Sequence, residues 1–134
     1  MSLPVLVALS FALHFVIGMR LGPALHWPGA APALALVLAA SALLTPAGLL
    51  ARRWLRPPAA DRLTWAGMLC MGLFSSLLVL TLAREAVLLC AWIGNRLGAG
   101  LALEGLATWS ARAAVSLALL ASLLGLFNAR RTAR

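Results

Sequence analysis

Acidic side chains are nearly missing from this sequence, with three in 134 residues: Asp61, Glu85 and Glu104. Two histidines and two cysteines add little to them. So few ligating and acid–base groups, this far apart, assemble no multi-ligand metal centre. Charge of either sign is scarce, at 10% of residues against 63% hydrophobic. That balance excludes a water-soluble domain, because a fold of this size leaves a large fraction of its side chains at the surface. Enzyme signatures that show as short spacings are also missing: no Walker loop, no H-E-x-x-H, no G-x-S-x-G and no dinucleotide fingerprint. Alone, the chain reads as non-catalytic and free of cofactors, and the solvent for its apolar surface is lipid.

What charge there is runs strongly basic, with a formal net charge of +8 and eleven basic residues, all arginine. These lie between and beside apolar runs and form no patch interleaved with aromatics, which argues against nucleic acid as a partner. Cys70 and Cys90 fall in one apolar stretch; on a continuous helix they are ~30 Å apart, beyond disulfide reach, and they read as free buried thiols.

Four apolar runs follow one another. The first, Leu3 to Met19, spans ~26 Å as a helix and stops at Arg20, Gly22 and Pro23. No basic residue precedes it and no small-x-small cleavage site follows, so it reads as a helix of the mature protein and not as a secretory signal. His26, Trp27, Pro28, Gly29 and Pro32 make a loop. The second run, Ala33 to Ala51, contains Thr45 and Pro46, which predicts a kink or an early end there, with a hydroxyl available for the freed carbonyl. Arg52, Arg53, Arg56, Asp61 and Arg62 surround Pro57 and Pro58 in the clearest loop. The third run, Leu63 to Ala83, meets Arg84 and Glu85 and then resumes to Ile93, predicting a long helix that reaches the mid-nineties. Leu97 to Trp109, with three glycines and Glu104, reads as a loop. The fourth run, Ala113 to Phe127, extends back to Leu106 if it takes in Arg112. The expected architecture is one all-α membrane domain over 1–134, an antiparallel bundle of four transmembrane helices near 3–20, 32–52, 63–95 and 106–128, the third one long.

With four spans, the N-terminus, the loop between the second and third helices and the C-terminus share one side. That side carries Arg52, Arg53, Arg56, Arg62, Arg130, Arg131 and Arg134, seven of the eleven arginines. The positive-inside rule makes it cytoplasmic. Trp27, Trp54, Trp65, Trp92 and Trp109 all lie near run boundaries, as an aromatic belt does.

Charged groups at membrane depth are rare, so Arg84, Glu85 and Arg112 are the candidate interhelical charge set, with Glu85 and Arg112 the expected pair between antiparallel neighbours. The bland reading is a packing clamp or snorkelling side chains. His14, midway along the first run, is a candidate intramembrane polar site. Haem or metal ligation is disfavoured because the second imidazole, His26, sits in a loop. Ala114, Ala118 and Ser122, with Ala121, Gly125 and Ala129 beside them, are spaced for close helix packing.

The order of landmarks is suggestive. His14 precedes Arg20 and Leu21, Pro46 precedes Arg52 and Arg53, and Trp65 with Gly67 opens helix three. Ser110, Ala111 and Arg112 then lead through a short apolar helix to Phe127, Asn128, Ala129, Arg130 and Arg131. This pattern resembles the membrane-embedded N-terminal region of bacterial calcineurin-like metallophosphoesterases, across essentially the whole chain. The resemblance implies a membrane anchor in the bacterial inner membrane and a partner phosphoesterase domain holding two divalent metals. It carries no catalytic or metal residue to this chain: Gly94, Asn95 and Arg96 have arginine where that family's motif needs histidine. Besides the lipid bilayer, then, a phosphoesterase domain or further copies of the chain are the expected partners. The competing reading is a small oligomeric transporter or channel subunit built around the Glu/Arg pair.

Overall fold

The computed structural model describes residues 3–26 and 28–132; Trp27 and Arg134, named above as a belt anchor and a terminal charge, lie outside them. Four helices account for most of the chain: α1 (Leu3–Leu21), α2 (Ala30–Trp54), α3 (Ala59–Arg96) and α4 (Leu103–Thr132). Each is long and apolar enough to cross a bilayer. The reason for this architecture is the solvent. Hydrocarbon offers no partner to backbone N–H and C=O groups, and a helix satisfies them within the segment. The protein is an all-α membrane bundle of antiparallel spans, with α3, at 38 residues, its longest member.

Boundaries differ from expectation where turns are tighter than composition suggests. The segment expected to be a loop up to Trp109 becomes helical at Leu103. Asn95 closes the turn before it, its amide donating to the Leu101 carbonyl at 2.8 Å while its carbonyl accepts the Leu101 N–H at 2.6 Å. Gly98 and Gly100 both take positive φ in that turn, which L side chains disfavour. Glu104 in the first turn then suits the positive end of the α4 dipole. At its other end α4 runs past Asn128 to Thr132, since no breaker stops it. α3 starts four residues before Leu63, directly after Pro58, with Asp61 in its first turn. Arg52 and Asp61 face each other across that loop at 3.4 Å, exposed on both sides.

Pro46 does not end α2, which continues to Trp54. Nor does the neighbouring hydroxyl serve as expected, because Thr45 Oγ1 is buried and has no hydrogen-bond partner among the described residues. Both cysteines are free on the one helix α3, but Cys90 is exposed and only Cys70 is partly buried.

α3 is the spine. α2 packs along one side of it and α4 along another, α1 lies mainly on α2, and α4 makes few close approaches to α1 or α2. Where α2 crosses α3 the backbones touch through glycine. A Cβ built on Gly48 would stand 2.7 Å from the Gly67 Cα, and one on Gly67 would stand 2.7 Å from both the Gly48 Cα and the Leu44 carbonyl oxygen. Association in lipid depends on such close packing, since lipid tails are as apolar as leucine and no hydrophobic drive separates helix from solvent. The core above the crossing joins Ile17, Leu21, Leu34, Leu38 and Leu77 to a seam of small residues on α4, Ala111, Ala114 and Ala118. The expected stripe is therefore buried at Ala114 and Ala118, whereas Ala121, Gly125 and Ala129 face outward. Large apolar side chains such as Phe15, Leu36 and Leu124 point away from the bundle, as lipid contact requires.

Overpacking a filled interface costs about 1–3 kcal/mol, so Gly48→Ala and Gly67→Ala are each expected to lower stability by that amount in detergent-solubilised protein followed by thermal unfolding. Gly72→Ala, where the added carbon meets nothing within 4 Å, is expected to leave the transition in place or raise it slightly.

Candidate functional site

Two polar constellations form among the spans. The first is built on His14, which is 2% exposed. Ser10 and His14 lie four residues apart on one face of α1, and the ring Nδ1 is 2.7 Å from the Ser10 carbonyl oxygen. A carbonyl only accepts, so Nδ1 carries a hydrogen. In the neutral ring Nε2 is then an acceptor, and the Ser41 hydroxyl of α2 stands 2.9 Å from it. That hydroxyl is also 3.3 Å from the Cys70 carbonyl oxygen of α3. With one hydrogen to give, Ser41 serves two acceptors, and the shorter contact identifies the ring as the main one. Ser10 adds a second link, its hydroxyl donating to the Ala42 carbonyl at 3.2 Å. Phe74 of α3 stacks on the imidazole, with centroids 4.2 Å apart and planes 20° from parallel.

One buried side chain thus ties three helices. An unpartnered polar group at this depth would cost several kcal/mol, which explains why both ring nitrogens are engaged. The imidazole also borders an apolar groove of about 350 Å³ between α1 and α2, lined by Phe11, Phe15, Leu34 and Leu38 among others.

The second constellation lies where α1 ends. Arg84, 7% exposed, donates from Nη1 to the neighbouring Glu85 carboxylate at 2.7 Å and from Nη2 to the Ala107 carbonyl of α4 at 3.2 Å. Glu85 reaches Arg20 of α1 at 3.5 Å. The carboxylate therefore stands between two guanidiniums, and the triad links α1, α3 and α4. The Arg84 bond is the stronger arm, being shorter and shielded, because the Arg20 side chain is 63% exposed and its pair is screened by solvent. Arg84 Nε and the Thr81 hydroxyl one turn away are buried and have no hydrogen-bond partner among the described residues.

Of the residues singled out in the sequence, Arg84 and Glu85 meet as adjacent members of this triad. Their partner across to α1 is Arg20, which the sequence places at the end of the first run and not in the charge set. Arg112 of α4 holds its guanidinium 5.8 Å over the Trp109 ring. Arg96 stands likewise over Trp92 at 5.0 Å, so two of the belt tryptophans have cations stacked on them. Ser10, Ser41 and Phe74 also went unnoticed. Only Ser10 left a signal, in its four-residue spacing from His14; Ser41 and Phe74 belong to other helices and depend on their register.

Among the described residues no three His, Cys, Asp or Glu side chains gather closely enough to hold a metal ion. Neither a protein-family profile, nor a curated protein, nor a solved structure matches the chain.

Ser41→Ala strips His14 Nε2 of its donor and is expected to lower stability by about 1–3 kcal/mol, whereas Ser76→Ala, on a hydroxyl bonded only within its own helix, is expected to change it little. Arg84→Gln is expected to destabilise more than Arg20→Gln, because Arg84 is the buried member and hydrogen-bonds to the α4 backbone. Both comparisons are read from thermal unfolding in one detergent.

Proposed function

We propose that this chain is a multi-pass membrane anchor that holds a partner activity at the bilayer and performs no chemistry of its own. The carrying observation is where its membrane-depth polar groups go. His14 and Ser41 join α1, α2 and α3. Arg84, Glu85 and Arg20 join α1, α3 and α4. Groups engaged in this way act as ties between helices, which favours a static scaffold over a conducting path.

The partner proposed is a two-metal phosphoesterase domain, on the strength of the resemblance that covers essentially the whole chain and is clearest from Ser110 to Arg131. The location proposed is a bacterial cytoplasmic membrane with both ends of the chain in the cytoplasm. Seven of eleven arginines on the side of the termini support that orientation.

Three measurements test the reading. A reporter joined at Arg134 is expected to be active on the cytoplasmic face. An Asp-x-His metal motif is expected in frame with this sequence or in an adjacent gene. Liposomes carrying the protein are expected to hold a proton or potassium gradient as well as empty ones do. A flux lost in Ser41→Ala or Glu85→Gln would replace the anchor with a transport unit.

A further inference from the structure

Because α4 leans on α3 and stays clear of α2, a cleft of about 300 Å³ opens between the three helices. Its walls include Leu34 and Val37 of α2, Leu77 of α3, and Val115 and Leu119 of α4; its polar members are Arg112 and Ser116. We propose that this cleft is the seat of one anionic phospholipid, with an acyl chain between α2 and α4 and the phosphate against Arg112.

Three observations converge on that occupant. First, the cleft lies among helices that cross the bilayer, so an apolar space open on its flank meets acyl chains. Second, depth is right for a headgroup. Ala111, next to Arg112, packs in the same cluster as Leu21 and Leu25, where α1 gives way to its loop, and Trp109 is 71% exposed beside it, as an interfacial anchor is. Third, the charge is complementary. Arg20, Arg84, Arg96 and Arg112 at this end of the bundle outnumber Glu85 and Glu104 two to one. An arginine in the lining of an apolar slot between helices fits a phosphate with a chain attached better than either part alone.

The test is native mass spectrometry of the full chain released from detergent in the presence of phosphatidylglycerol, diacylglycerol or inorganic phosphate. Wild type is expected to retain one phosphatidylglycerol per chain and neither of the other two. Losing one charge-assisted contact in Arg112→Gln is expected to lower the bound fraction about tenfold, and Arg112→Lys to restore part of it. Ala33→Phe, which fills the cleft and leaves Arg112 in place, is expected to lower it as well, while Arg53→Gln at the opposite end changes nothing. Circular dichroism checks that each variant remains helical. Equal retention by Arg112→Gln or by Ala33→Phe overturns the proposal. So does binding of inorganic phosphate alone, diacylglycerol bound as well as phosphatidylglycerol, or a dimer mass showing that a second copy fills the cleft.

Discussion

Glycine against glycine sets the geometry of this bundle. Because Gly48 and Gly67 let the α2 and α3 backbones meet without intervening side chains, Ser41 on α2 comes within 3.3 Å of the Cys70 carbonyl oxygen on α3. Ser41 lies seven residues from Gly48, and Cys70 three from Gly67. At a wider separation the Ser41 hydroxyl would lie out of reach of the Cys70 carbonyl, and Phe74 would not lie on the imidazole. The His14 cluster is thus a product of backbone proximity, and backbone proximity is a product of two missing Cβ atoms.

A second consequence concerns how cohesion is distributed. Lipid gives apolar side chains no reason to prefer one another, so a membrane bundle holds together by close packing and by polar contacts that hydrocarbon cannot replace. Here the two are separated along the bundle. Glycine and alanine seams work along α2, α3 and α4, the imidazole cluster joins the first three helices at mid-depth, and the arginine and glutamate triad fastens the far end. α4 is held by the Ala111, Ala114 and Ala118 seam and by Arg84 on its backbone, with little support from α2, which is why a cleft opens beside it.

Much of the fold was legible in the sequence, because hydrophobic length is a strong signal once lipid is the solvent. Four runs became four helices, and the long third one continues through Arg84 and Glu85 to Arg96. Less legible were the ends. Asn95 folds the chain back onto Leu101 by a side-chain contact that composition does not encode, so α4 begins earlier than its glycines suggest. Pro46 is the opposite case: of the kink or early end expected there, the early end does not occur, since a proline in lipid need not stop a helix that neighbours enclose. For the site, His14 and the adjacent Arg84 and Glu85 were visible as rare polar residues in apolar runs. Their partners were not. Ser41, Phe74 and Arg20 belong to different helices, and their importance arises only when helix faces meet.

The His14 contacts also bear on assembly during synthesis. Its two ring nitrogens bond to Ser10 and Ser41, both within the first forty-one residues, so the opening helical hairpin can shelter its own imidazole from lipid before the third helix has left the ribosome. Glu85 emerges later, directly after Arg84 and toward an Arg20 already in place, and never needs to enter the bilayer as a lone carboxylate. The linear order of the chain thus supplies His14 and Glu85 with companions by the time the helical hairpin or the third helix that holds them is complete.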